Sequence, residues 1–265
     1  MKLNFKKFGK GCPLIIIHGL YGSGENWFTF GRQLSKFFTV YLIDLRNHGS
    51  SPHHHDLSFE AMSNDIEELM SNEQLDYACL MGHSLGGKIA MYLTLKNPEK
   101  VKKLVVIDVA PRAYIKDGNI APQVQFHKLI IDALINLNLK TATSRSDIDK
   151  ELSYTISQPA LRKFLLKNIK RSHTGDYFWG LNLHAIRDNL AGLMAEIKSY
   201  NTFNGDTLIV YGSRSDYVNE NDKQEFKKYF NNIRFEEFNT GHWLHAEEPE
   251  KLMNLLLHFL PLNER

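Results

Sequence analysis

Short and almost wholly apolar runs alternate along this chain with longer segments in which apolar residues recur every three or four positions. Such runs are typical of strands buried on both faces, and the recurring pattern is typical of helices packed on one side. The apolar runs cover residues 13–17, 39–43, 78–82, 101–107, 207–211 and 233–238. The helical pattern covers residues 25–37, 59–70, 85–95, 220–230 and 247–259. We therefore predict an α/β fold with a mostly parallel central sheet flanked by helices.

The regular alternation is interrupted between residues 111 and 204. The pattern there predicts helices or helical pieces, with no convincing strand among them, over residues 120–139, 148–155, 159–169 and 185–197. We expect a core formed by residues 1–110 and 205–265 together. Residues 111–204 should form a helical cap inserted after the strand that ends at Asp108, and such a segment usually covers a pocket.

Composition and charge exclude some classes of function. The chain has 32 basic and 30 acidic residues and a formal net charge of +2. This near balance lacks the excess of positive charge that is typical of proteins that bind nucleic acid. No stretch is long and apolar enough to predict a membrane span, and residues 1–11 lack the apolar centre of a signal peptide. We expect a cytoplasmic protein.

The same sequence offers little to a metal ion. Cys12 and Cys79 are the only cysteines, and neither has the spacing of a metal ligand, so we expect two free thiols. The run His53-His54-His55-Asp56 has no second ligand cluster spaced to complete a site. We interpret it as a solvated loop and expect neither a metal nor an organic cofactor.

The most informative stretch is Gly82-His83-Ser84-Leu85-Gly86, between a predicted strand and a predicted helix. Strand, sharp turn and helix are the setting of a nucleophile elbow, in which the flanking glycines let the chain turn tightly and expose the serine hydroxyl. Gly82–Lys88 also fits the phosphate-loop pattern G-x-x-x-x-G-K. That alternative is disfavoured because Ile89 follows, where the phosphate loop needs a hydroxyl for its metal.

Further polar groups follow other predicted strands, and parallel strands bring their carboxyl ends to one edge. His18, Asp44 and Asp108 follow such strands, and a late Gly241-His242 follows the last one. Together with the serine elbow, these features resemble the α/β-hydrolase fold over essentially the whole chain. The closer likeness is to small YbfF-like serine esterases, through the segments DLRNHG (44–49), GHSLGGK (82–88), IDVAP (107–111) and GHWLHAE (241–247).

Chemistry and resemblance together predict the catalytic roles. Ser84 needs a base within hydrogen-bond reach, and His242 has the loop position of the family's base, whereas His18, His83 and His245 are its competitors. The oxyanion of the reaction needs preorganised amides. We expect the backbone N–H of Leu85, which follows the nucleophile, and that of Leu20 to supply them.

The sequence offers two candidates, Asp108 and Asp216, for the acid of the triad. Most family members carry the acid in a G-x-x-D pattern after the strand that follows the cap, but here that register is Gly212-Ser213-Arg214-Ser215, and Asp216 is one residue late. Asp108 follows the strand next to the serine strand and could orient His242 from there, which the resemblance supports. We favour Asp108 over Asp216. Asp44 is interpreted as part of a structural loop network.

The resemblance implies a serine hydrolase of carboxylic esters or thioesters with short to medium acyl chains. Its partner would be a small-molecule acyl ester or thioester, with no nucleic acid involved. Two other enzymes share the triad, namely an aminopeptidase or amidase and a carbon–carbon bond hydrolase or lyase of the menaquinone-pathway type. A ligand-binding receptor on the same fold is the non-enzyme alternative. Serine at position 84 disfavours the branches that use an aspartate nucleophile.

Overall fold

The computed structural model describes residues 1–116 and 119–260. Its strands are β1 (Phe5–Phe8), β2 (Cys12–Ile17), β3 (Phe38–Ile43), β4 (Ala78–His83), β5 (Val101–Ile107), β6 (Ile115–Lys116), β7 (Asn119–Ile120), β8 (Ile169–Arg171), β9 (Tyr177–Trp179), β10 (Phe203–Gly212) and β11 (Phe230–Phe238). Its α-helices are α1 (Phe28–Leu34), α2 (Phe59–Asn72), α3 (Leu85–Lys96), α4 (Pro122–Asn136), α5 (Arg145–Ser153), α6 (Pro159–Leu166), α7 (Leu183–Leu193), α8 (Glu220–Lys227), α9 (Leu244–Glu247) and α10 (Pro249–Phe259).

The central sheet has the strand order β1-β3-β2-β4-β5-β10-β11. All its neighbouring strands are parallel except β1, which pairs antiparallel with β3 at one edge. Alternate residues of β2 enter different apolar clusters: Ile15 and Ile17 enter one, Leu14 and Ile16 the other. Both faces of the sheet are therefore covered, which explains the continuous apolar runs and confirms the predicted fold class.

The strand register determines which residues meet at the carboxyl edge. Ile17 of β2 lies beside Gly82 of β4, and His83 of β4 lies beside Ile107 of β5. The residues that follow these strands therefore emerge side by side. Val210 of β10 pairs in turn with Ile107, which brings the end of β10 next to the residue after β5.

The segment between β5 and β10 contains helices α4 to α7, as the sequence predicts, but the prediction that it holds no strand is wrong. β6 pairs antiparallel with β7, and β8 pairs antiparallel with β9. The strands β8 and β9 have three residues each, too few for a hydrophobic period to show. They are joined by a turn with Gly175 at φ +93°, so pairing across the turn creates them.

A buried lysine connects this segment to the elbow helix. The Nζ atom of Lys88 on α3 donates to the carbonyls of Arg112 at 2.6 Å and Ala195 at 2.5 Å, close to the two ends of the segment. Burial lowers the pKa of Lys88 to about 7.

Over the described ranges no helix combines the length and the hydropathy that a membrane crossing requires. Cys12 and Cys79 are free thiols, as predicted.

Candidate active site

Ser84 is the single residue between the end of β4 and the start of α3, and its backbone has φ +53° and ψ −120°. A positive φ is strained for a residue with a Cβ and is retained only where the surroundings enforce it. Gly82 and Gly86 allow the tight turn. A Cβ on Gly82 would lie 2.2 Å from the carbonyl oxygen of Gly86, and one on Gly86 would lie 2.2 Å from that of Ile17. The strand, turn and helix predicted around Ser84 are therefore present.

Asp108 and His242 meet at the same edge of the sheet. Asp108 follows β5 with φ +50°, and its carboxylate is fully buried. The Nδ1 atom of His242 lies 2.7 Å from Oδ2 of Asp108, and the amide of Gly212 donates to Oδ1 at 3.0 Å. Because the carboxylate of Asp108 engages Nδ1, Nε2 is the ring nitrogen of His242 that remains for proton transfer.

The competing acid, Asp216, also borders the cavity that Ser84 and His242 line, but His242 contacts the carboxylate of Asp108. Asp216 is exposed, and its backbone carbonyl accepts a hydrogen bond from Gln123 at 2.7 Å. Ser215, which occupies the register where most family members carry the acid, donates its hydroxyl to Oδ2 of Asp108. Sequence reasoning noticed the serine in this slot but missed its contact, which becomes visible only when β5 and β10 are seen to be neighbours.

A cavity of about 600 Å³ lies over Ser84 and His242. Core loops and the segment between β5 and β10 both contribute to its wall. The side chains from that segment are mainly apolar and include Pro122, Phe126, Ile130, Leu161 and Phe164. A cavity of this size and lining suits a small ligand with an apolar part held next to Ser84.

The loop after β2 borders the same serine. A Cβ on Gly19 would lie 3.2 Å from Cβ of Ser84, and Leu20 lines the cavity. Leu85 is the first residue of α3, so its amide has no acceptor within the helix. Of the two amides predicted for an oxyanion hole, that of Leu85 directly follows Ser84 and that of Leu20 lies in the loop after the neighbouring strand β2.

Several other histidines surround the site. Nε2 of His83 lies 3.0 Å from the carbonyl oxygen of His242, and the ring of His245 stacks on Trp27 at 4.5 Å. Burial is the largest cause that lowers the pKa of His48 to about 3 and of His245 to about 4. These rings are neutral near pH 7. His83 thus has a hydrogen-bonding contact and His245 has ring-packing contacts, whereas His242 contacts the buried carboxylate.

Two contacts of the site were missed by sequence reasoning. The ring of Tyr217 stacks on that of His242, with centroids 4.1 Å apart and planes 20° apart. The hydroxyl of Tyr217 lies 3.0 Å from Nε2 of His127, a buried residue of α4. No short motif could indicate this pair, because the two residues are 90 positions apart.

The loop after β3 is a hydrogen-bonded network, in line with its structural interpretation. Asp44 accepts from the amides of Gly24 at 2.8 Å and Ser50 at 2.9 Å, and Arg46 binds both carboxylate oxygens of Asp65.

Within residues 1–116 and 119–260, no group of three histidine, cysteine or acidic side chains is arranged to hold a metal ion.

Comparison with known proteins places this geometry in context. A family model described as alpha/beta hydrolase fold matches residues 13–249. In sequence, the chain is similar to the protein named sn-1-specific diacylglycerol lipase ABHD11 of Danio rerio, with 31% identity over 255 residues, which cover 95% of this chain and 79% of that protein. It is also similar to Esterase YbfF of Escherichia coli (strain K12), with 28% identity over 266 residues, which cover 98% of this chain and 99% of that protein.

A solved structure described as "Marine microorganism esterase" is similar as well. It has a TM-score of 0.94 and 41% sequence identity, and the match covers 97% of this chain and 99% of that one. These findings confirm the resemblance that the motifs around Ser84 and His242 predict.

The buried neutral histidines predict how stability depends on pH. In the unfolded chain a histidine titrates near pH 6.5, but burial keeps the pKa of His48 and His127 at about 3 and that of His245 at about 4. Between pH 6.5 and 5 the unfolded chain therefore binds more protons than the native protein, and the free energy of unfolding falls as pH falls. Each such histidine contributes about 0.7 kcal/mol per pH unit at pH 6.5, where the unfolded-state ring is half protonated, and this slope approaches about 1.4 kcal/mol per pH unit near pH 5.

Urea unfolding at pH 6.5, 5.7 and 5.0 measures this slope. The variant His48→Gln removes one titrating ring and should make the slope shallower by one histidine's share. A free energy of unfolding that stays constant or increases as pH falls from 6.5 to 5.0 would contradict the assignment of these rings as buried and neutral.

Proposed function

The chain belongs to the alpha/beta hydrolase family as an esterase- or lipase-type member, and from this premise we propose that it cleaves carboxylic esters or thioesters through Ser84. One observation carries the proposal. The carboxylate of Asp108 holds Nδ1 of His242 at 2.7 Å beneath the cavity that Ser84 also lines.

In the proposed reaction, His242 takes the proton of the Ser84 hydroxyl through Nε2 while the serine oxygen attacks the carbonyl carbon. The amides of Leu20 and Leu85 bind the resulting oxyanion. The tetrahedral intermediate collapses, His242 protonates the departing alcohol or thiol, and the acyl group remains on Ser84. His242 then takes a proton from water, whose oxygen attacks the acyl-enzyme, and returns this proton to the oxygen of Ser84 as the carboxylic acid leaves. Asp108 keeps the imidazole in the required tautomer and stabilises its charged form.

The size and the lining of the cavity favour a substrate with an uncharged acyl chain of short to medium length. The cavity volume is about 600 Å³, and apolar side chains of α4 and α6 form much of its wall. Relatives named as esterases and as a diacylglycerol lipase support a carboxylic ester as the bond that is cleaved. We assign residues 111–204 the role of a cap over a core of residues 1–110 and 205–265, although β10 already begins at Phe203.

Replacing each candidate acid separately tests the triad. We expect Asp108→Asn to lower kcat by about 10⁴-fold, because the amide cannot hold the required imidazole tautomer. Asp216→Asn should stay within about twofold of the parent, since the Asp216 side chain is exposed. Steady-state hydrolysis of p-nitrophenyl butyrate gives both values, with thermal unfolding as the control for folding. Equal and mild losses would reject both acids.

A panel of substrates tests the reaction class. With p-nitrophenyl esters, kcat/KM should rise by about fourfold for each methylene added after acetate, because each buried methylene contributes about 0.8 kcal/mol, until the cavity is full. Acyl-CoA thioesters show whether a thiol is also accepted as leaving group. Peptide anilides are the matched amide substrates, and activity on them beside inert esters would instead indicate an amidase or aminopeptidase.

A further inference from the structure

His127 connects the inserted segment to two core residues inside the cavity. It lies on α4 with a buried side chain. Its Nε2 atom is 3.0 Å from the hydroxyl of Tyr217, and its Nδ1 atom is 3.3 Å from the hydroxyl of Tyr21. Both polar atoms of the ring are therefore engaged by tyrosines that belong to different loops of the core.

Each tyrosine contacts a different part of the proposed catalytic machinery. The ring of Tyr217 covers one face of His242 in a stacked arrangement at 4.1 Å. Tyr21 directly follows Leu20 and has φ +63°, a conformation that a residue with a Cβ keeps only where its surroundings hold it. The amide of Tyr21 also donates to Nε2 of His48 at 3.3 Å.

The hydrogen bonds form a consistent chain of neutral groups. Burial is the main cause that lowers the pKa of His127 to about 3, so the ring has one donor and one acceptor near pH 7. The hydroxyl of Tyr21 can donate to the backbone carbonyl of His127 at 3.4 Å. Nδ1 of His127 then donates to Tyr21, and Nε2 accepts from Tyr217. In this series of hydrogen bonds among Tyr21, His127 and Tyr217, every donor has an acceptor.

We propose that His127 is a positioning residue, which holds Tyr217 against the ring of His242 and Tyr21 beside the amide of Leu20. This inference rests on the serine-hydrolase function proposed above. The base and the oxyanion loop are then both aligned by one side chain of α4. The inserted segment therefore does more than enclose the substrate, because a side chain of α4 contributes to the alignment of the catalytic groups.

Variants at position 127 separate positioning from packing. His127→Leu fills similar space without hydrogen bonds and should lower kcat by about tenfold, with KM changing less than kcat, since a neutral hydrogen bond contributes a factor of this order. In His127→Gln, the side-chain amide reaches the position of Nε2 and can keep the bond to Tyr217. We expect this conservative variant to recover part of the loss and to remain within about threefold of the parent.

Tyr217→Phe is the matched partner, because it keeps the stacked ring and removes only the hydroxyl. It should also lower kcat, and combining it with His127→Leu should add little further loss, since both changes break the same contact. This variant also keeps the inference testable if His127→Leu fails to fold.

Three outcomes would overturn the inference: a kcat of folded His127→Leu within twofold of the parent, an equal loss in His127→Gln, or fully additive losses with Tyr217→Phe. Reactivity of Ser84 towards a fluorophosphonate separates this failure from failure of the proposed function. A parent protein that reacts at Ser84 while its His127 variants keep full kcat would reject the role of His127 alone.

Discussion

The hydrogen bond between His242 and Asp108 depends on most of the fold. It joins the loop after the last strand to the residue after β5, across the end of β10, and its carboxylate is fully buried. A buried carboxylate is tolerated only when donors satisfy it. Here the amide of Gly212, the hydroxyl of Ser215 and the ring of His242 do so, and all three lie at the carboxyl edge of the sheet, Gly212 as the last residue of β10 and the other two in loops.

The same edge explains why strain collects at the site. Ser84, Asp108 and Tyr21 all have positive φ values although none is glycine. Each residue follows a parallel strand, directly or within one short loop. A rigid parallel sheet buried on both faces can hold such conformations, because relaxing one of them would disturb the packing of its neighbours. Preorganised groups of this kind are what stabilisation of an oxyanion requires.

Local patterns were enough to predict the parts of the site that depend on local structure. The elbow around Ser84 follows from two glycines between a strand and a helix, whereas the place of Asp108 after a buried strand made it one of two candidate acids, and the family resemblance favoured it over Asp216. The hairpin of β8 and β9 could not be predicted, because its strands are formed by pairing and have no period of their own. The contacts of His127 lie 90 and 106 positions away in sequence, and only the docking of α4 on the core creates them.

Labelling with a fluorophosphonate probe tests the central claim most directly, because the probe reacts with a serine only when a neighbouring base activates it. We predict that the folded protein takes up one label per chain, and that Ser84→Ala, with an unchanged circular dichroism spectrum, takes up none. A folded parent protein that takes up no label, or labelling that persists in Ser84→Ala, would contradict the account.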